Sequence, residues 1–191
     1  PLTPLQLTID RIKNKYTQQL DQNDQNNFKE NLKIINNQIK QIENLVNEFS
    51  DFARMPKPVF KSNDLIPILN EGIKLSSELD KSIQISFTHS NEKILLNCDK
   101  EQLSRVFFNL IKNSIESIAQ KHEKDGLFEK KISIEIIDNN DHIKCILVDN
   151  GIGFDQIKNN IKNILNPYFT TKKNGIGLGL SIVNKIINDH N

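Results

Sequence analysis

Asn109 and Asn113 stand one helical turn apart in "NLIKNSI", on a stretch whose apolar residues repeat with helical period. Asparagine is a poor helix former, so such a pair is either a solvated surface or a device for holding something. An amide oxygen on a rigid helix is a hard ligand that Mg²⁺ accepts when phosphate oxygens complete its octahedron. In "VDNGIGF", Asp149 ends an apolar run before Gly151 and Gly153. Asp-Asn-Gly is a strong turn signal, and an ordinary tight turn would satisfy it. A strand-end carboxylate beside bare backbone can also accept a hydrogen bond from an exocyclic amine and leave room for a flat ring, which suits adenine.

The third group is "NPYFTTKKNGIGLGLSIV", where Gly175, Gly177 and Gly179 alternate behind Thr170, Thr171, Lys172 and Lys173. Five of the chain's seven glycines lie in these last two groups, so backbone freedom is concentrated there. Alternating glycines ahead of a helix offer bare N–H groups and a positive helix end to phosphates, with hydroxyls and lysines over the outer ones. A flexible polar loop is the plainer reading. The spacing is neither the G-x-G-x-x-G fingerprint nor the P-loop, so a different nucleotide fold is implied.

The elements that must position these groups follow from periodicity. Leu2, Leu5, Ile9 and Ile12 mark one helix. Phe28, Leu32, Ile35, Ile39, Ile42, Val46 and Phe49 step by fours and threes like a coiled-coil seam. The polar "DQNDQNN" at 21–27 is predicted as the turn between them. The resulting hairpin either lies on the following domain or forms half of a dimeric four-helix bundle, the reading adopted. "MPKP" at 55–58 cannot continue a helix and sets the domain boundary, giving 1–56 and 57–191.

Beyond it, "DLIPILNEGIKLSSEL" reads as a helix and "IQISFTH" as a strand with "KILLNC" as its hairpin partner. Asp99 and Gln102 predict a capping box opening a helix to Lys121. That helix buries Leu103, Phe107, Leu110 or Ile111, and Ile118, with Gln102, Asn109, Asn113 and Glu116 on another stripe. "KISIEII" and "HIKCILVD" are strands joined by an Asn-rich turn, and "GLSIVNKIIND" is a closing helix. The class is α+β: a helical hairpin, then an α/β sandwich with helices on one face.

Bulk properties are permissive. The 191 residues are 37% hydrophobic and carry a formal net charge of +1, so no global electrostatic case exists for nucleic acid or an anionic membrane. No apolar run spans a bilayer. Cys98 and Cys145 stand apart without metal-ligand spacing and are expected to be buried free thiols.

The order Asn109-x-x-x-Asn113, Asp149-x-Gly151-x-Gly153, Phe169-Thr170-Thr171-Lys172 and Gly175-x-Gly177-x-Gly179-Leu180 resembles the N box, first glycine box, F box and second glycine box of sensor histidine kinases. "PLTPLQL" resembles the tail of their H box, and the chain is most similar to the nitrogen-regulation, NtrY-like members. The resemblance implies a dimerisation and histidine phosphotransfer hairpin before a Bergerat-type ATP-binding domain that lacks its last strands.

It further implies Asn113 on Mg²⁺, Asn109 supporting phosphates, and Asp149 reading the adenine amine with Gly151 and Gly153 beside the ring. Phe169 would anchor a lid. Thr170, Thr171, Lys172 and the backbone of Gly175, Gly177, Leu178 and Gly179 would meet the triphosphate, with Lys112 a weaker candidate. Asn113 and Lys172 would serve catalysis. Gyrase-type ATPases place a water-activating glutamate where Asn109 stands, and an amide takes no proton, which favours transfer to a protein nucleophile over hydrolysis.

The implied function is a protein-histidine kinase core of a bacterial two-component system, homodimeric, acting with a response-regulator receiver domain. It would be the cytoplasmic portion of an inner-membrane sensor, without nucleic acid or direct membrane contact. The alternative is a nucleotide-gated scaffold or a regulator phosphatase module. His89, His122, His142 and His190 all lie outside the hairpin, so autophosphorylation is not expected. Ser114 stands where the family often has alanine.

Overall fold

The structure, a computed structural model, describes residues 2–139, 141–153, 163–170, 172 and 175–191, except the side chains of Asn23 and Asp51. Two units form, one running to Met55 and including Lys172, the other beginning at Pro56.

In the first unit α1 (Thr3–Tyr16) and α2 (Gln22–Ala53) make the hairpin. Ile9, Leu32 and Ile39 are buried, with Leu2, Ile12 and Phe28 packed against them. The turn is not at 21–27. A short 3-10 segment at Thr17–Gln19 makes the reversal, and Asp21 caps α2 by accepting the Asp24 amide at 2.9 Å. An N-cap aspartate lets an otherwise polar, turn-like segment become the first helical turns. The heptad seam is only partly used by the hairpin: Ile35, Ile42, Val46 and Phe49 remain 46–50% exposed.

The second unit has two sheets. β1 (Lys61–Asp64) pairs antiparallel with β3 (Leu95–Cys98), while β2 (Gln84–His89), β4 (Lys131–Asp138) and β5 (Ile143–Asp149) form a sheet in the order β2-β4-β5. The expected β2–β3 hairpin is therefore wrong. β2 runs parallel to β4, Ile85 opposite Ile132 and Phe87 opposite Ile134, whereas β4 and β5 form the antiparallel pair. β3 is drawn away because the Asp64 carboxylate accepts both the Ile94 and the Ile66 amides, fixing the β1–β3 register while capping α3 (Leu65–Ser77).

Ile132, Ile134 and Ile136 are at most 1% exposed along the inner face of β4, each worth about 1.5–3 kcal/mol of burial. α4 (Lys100–Asp125) contributes Leu103, Val106, Phe107, Ile111, Ile115 and Ile118, and α5 (Gly179–Asp189) contributes Ile182 and Ile186. The α/β sandwich expected from the sequence is present. Gln102 is buried, not on the polar stripe. Only half of the capping box forms: the Asp99 carboxylate accepts the Gln102 amide at 3.0 Å, but the Gln102 side chain donates to the Pro56 carbonyl at 2.9 Å. Asp99 N–H donates instead to His190 Nε2 at 3.0 Å. Cys98 is buried as expected, and Cys145 is exposed.

Candidate nucleotide site

α4 is the element that joins the three polar groups. Asn109, Lys112 and Asn113 are half-buried on it, the two asparagines one turn apart. The start of α5 lies against them: a β-carbon placed on Gly179 would be 3.6 Å from Asn109 Oδ1 and 3.8 Å from Asn113 Nδ2. No side chain caps α5, and no acid sits in its first turn, so the positive end of the helix opens beside the two amides. That end is chemically suited to an anion.

On its other flank α4 holds the end of β5. Ser114 Oγ donates to Asp149 Oδ2 at 3.0 Å, and the Gly151 amide donates to Asp149 Oδ1 at 2.9 Å. The Ile152 amide reaches the Ser117 carbonyl at 3.2 Å. Gly151 must be glycine, because a β-carbon there would meet Ser117 Oγ at 2.2 Å. Asn150 anchors the turn from outside, accepting from the Lys131 amide at 2.9 Å and donating to the Glu129 carbonyl at 2.7 Å. Gly153 follows with φ 70° in open space.

Tyr168 and Phe169 are tied to the second glycine run. Tyr168 N–H donates to the Gly177 carbonyl at 3.0 Å. Gly177 has φ 74°, and a β-carbon on it would lie 2.6 Å from Phe169 O. Both the turn and the close approach therefore require glycine. Phe169 is half-buried and Thr170 exposed, while Gly175 is half-buried and Leu178 fully buried as a core anchor. Thr171 and Lys173 lie outside the described residues. Lys172 groups by its packing with the first unit.

Asn109, Asn113 and Gly179 thus meet at one side of α4, and Asp149 and Gly151 are fastened to the same helix. Sequence reasoning missed the connectors. Ser114 and Ser117 carry no signal of their own in the sequence beyond following Asn113 within about one helical turn. Among the described residues no three acidic, histidine or cysteine side chains gather into a metal cage. A single amide such as that of Asn113 is chemically suited only to a cation that brings most of its oxygen ligands with it, as Mg²⁺ does on phosphates.

Residues 98–191 match the family described as histidine kinase-, DNA gyrase B- and HSP90-like ATPase. The putative sensor histidine kinase NtrY-like of Rickettsia bellii is 32% identical over 190 residues, covering 100% of this chain and 30% of that protein. The chain thus spans about 30% of the length of this curated relative. A catalytic-domain structure of the histidine kinase ThkA is 30% identical with a TM-score of 0.57, over 69% of this chain and 82% of that one. ThkA in complex with the response regulator protein TrrA aligns with a TM-score of 0.65 at 25% identity, over 98% of this chain and 51% of that one.

Proposed function

This chain belongs to the histidine kinase-, DNA gyrase B- and HSP90-like ATPase family, as the catalytic domain of a two-component sensor kinase, and on that premise we propose that it binds ATP with Mg²⁺ and passes the γ-phosphoryl group to a histidine. The observation that carries the reading is the approach of Gly179 to Asn109 and Asn113 on α4, with Asp149 tied to the same helix. A phosphate-facing helix end, an amide and an amine acceptor then lie on one support.

In phosphoryl transfer a protein mainly positions groups and stabilises charge. Asn113 would hold a magnesium ion, whose charge would neutralise the phosphates, Asn109 would orient them, and the α5 amides would receive the outer oxygens. Lys112, Thr170 and the backbone of Gly175, Gly177 and Leu178 would serve the phosphate side. Asp149 accepts the adenine amine with Gly151 and Gly153 beside the ring, and Phe169 seats the segment ahead of the glycines. Asn109 cannot abstract a proton from water, which favours a protein acceptor.

The phosphoryl group would go to a histidine acceptor and onward to an aspartate of a response-regulator receiver domain; residues 1–55 contain no histidine. We assign the hairpin to homodimerisation, since Ile35, Ile42, Val46 and Phe49 present a half-exposed apolar stripe. Among the described residues no helix is long and apolar enough to cross a membrane. The parent would be an inner-membrane sensor with this portion in the cytoplasm.

The test mixes the chain with radiolabelled ATP, Mg²⁺ and a separate hairpin protein bearing the family's acceptor histidine. Acid-labile label on that acceptor is expected. Asn113→Ala should remove the Mg²⁺-dependent part of nucleotide binding, and the transfer with it, at unchanged circular dichroism. Tight binding without transfer would instead support a nucleotide-gated scaffold.

A further inference from the structure

We propose that Ser114 is a positioning residue for base recognition: it fixes the Asp149 carboxylate in the orientation that accepts the exocyclic amine of a 6-aminopurine. The inference rests on the nucleotide reading above and adds a residue to it.

A serine in the middle of a helix ordinarily turns its hydroxyl back to the carbonyl one turn earlier or out to solvent. Ser114 does neither. It is 3% exposed, and its Oγ donates across to Asp149 Oδ2 at 3.0 Å. The other carboxylate oxygen accepts the Gly151 amide at 2.9 Å, so the side chain is held at both ends. Each oxygen keeps a further lone pair, so the clamp fixes direction without exhausting acceptor capacity.

The clamp is braced from behind. Ser117 presses on Gly151 so closely that no β-carbon fits, and its carbonyl takes the Ile152 amide. Strand end and helix therefore form one bolted corner. A carboxylate already fixed in its bound rotamer loses little freedom when the base arrives, which is how preorganisation raises affinity. Ser114 directly follows Asn113, so the amide that would hold the cation and the group that would read the base are set by one helical turn.

The experiment measures affinity of the 191-residue chain, with Mg²⁺, for ATP and for purine riboside triphosphate, which lacks the 6-amino group. Ser114→Ala should weaken ATP about tenfold, the size of one charge-assisted hydrogen bond lost, and leave the deaminated analogue within about twofold. In an Asp149→Asn background the same change should have no further effect on ATP, because the carboxylate it orients is gone. Equal loss for both nucleotides, or unchanged ATP affinity, overturns the role of Ser114. Wild-type protein that binds neither nucleotide overturns the nucleotide reading itself, a result distinguishable from either.

Discussion

At the scale of single residues, the site depends on what Gly151 lacks. Any β-carbon there would sit 2.2 Å from Ser117 Oγ and 2.6 Å from Ser117 C, and the second of these is backbone that cannot swing away. Gly151→Ala should therefore cost about 1–3 kcal/mol in chemical denaturation, the range for overpacking a well-filled site. Unchanged stability would show that α4 and the β5 end can separate freely. The glycines, asparagines and Asp149 were legible because their types are costly in a helix or diagnostic in a turn. The Ser114–Asp149 bond was not. It spans 35 residues, and a serine among apolar neighbours carries no sign of which partner it will find.

At the scale of elements, polar side chains settle where chain segments end. Asp80 accepts the Ser82 hydroxyl at 2.6 Å, the Lys130 ammonium at 3.0 Å and the Ser82 amide at 2.9 Å, pinning the α3–β2 connection to the start of β4. These donors, the Ser82 hydroxyl foremost, lower its pKa from 3.8 to about 2. A carboxylate with a depressed folded pKa contributes stability above its unfolded value and loses it as pH falls through the folded one. Wild type should thus lose stability relative to Asp80→Asn between about pH 5 and about pH 2, read as converging denaturation midpoints. Midpoints that stay equally far apart would remove Asp80 from the account.

Helices α1 to α5, apart from the first turns of α2, and the β4–β5 pair were legible from period together with capping and turn signals. The β2 partner was not, because apolar alternation specifies a face and leaves the neighbour open. β1, "KSND", has no apolar residue and no alternation to find. Its pairing with β3 is supported by Asp64, whose carboxylate accepts one amide at the start of α3 and another just before β3.

At the scale of the whole molecule, the hairpin carries an exposed apolar stripe: the seam residues Ile35, Ile42, Val46 and Phe49, with Ile34 and Leu45 beside them, are all about half-exposed. Contiguous exposed apolar surface of this kind marks an association site. Ile42→Asp should shift the sedimenting species from dimer to monomer and leave nucleotide affinity unchanged. A wild-type chain that sediments as a monomer would count against the dimer.

The parallel pairing of β2 with β4 carries a consequence for how the chain is made. β2 leaves the ribosome first, and its hydrogen-bonding partner begins only at Lys131, after all of α4. Until then a strand with Ile85 and Phe87 must wait with an open edge, and pairings so distant in sequence are slow and prone to aggregation. Newly synthesised chains stalled before β4 should therefore be the form that holdase chaperones retain.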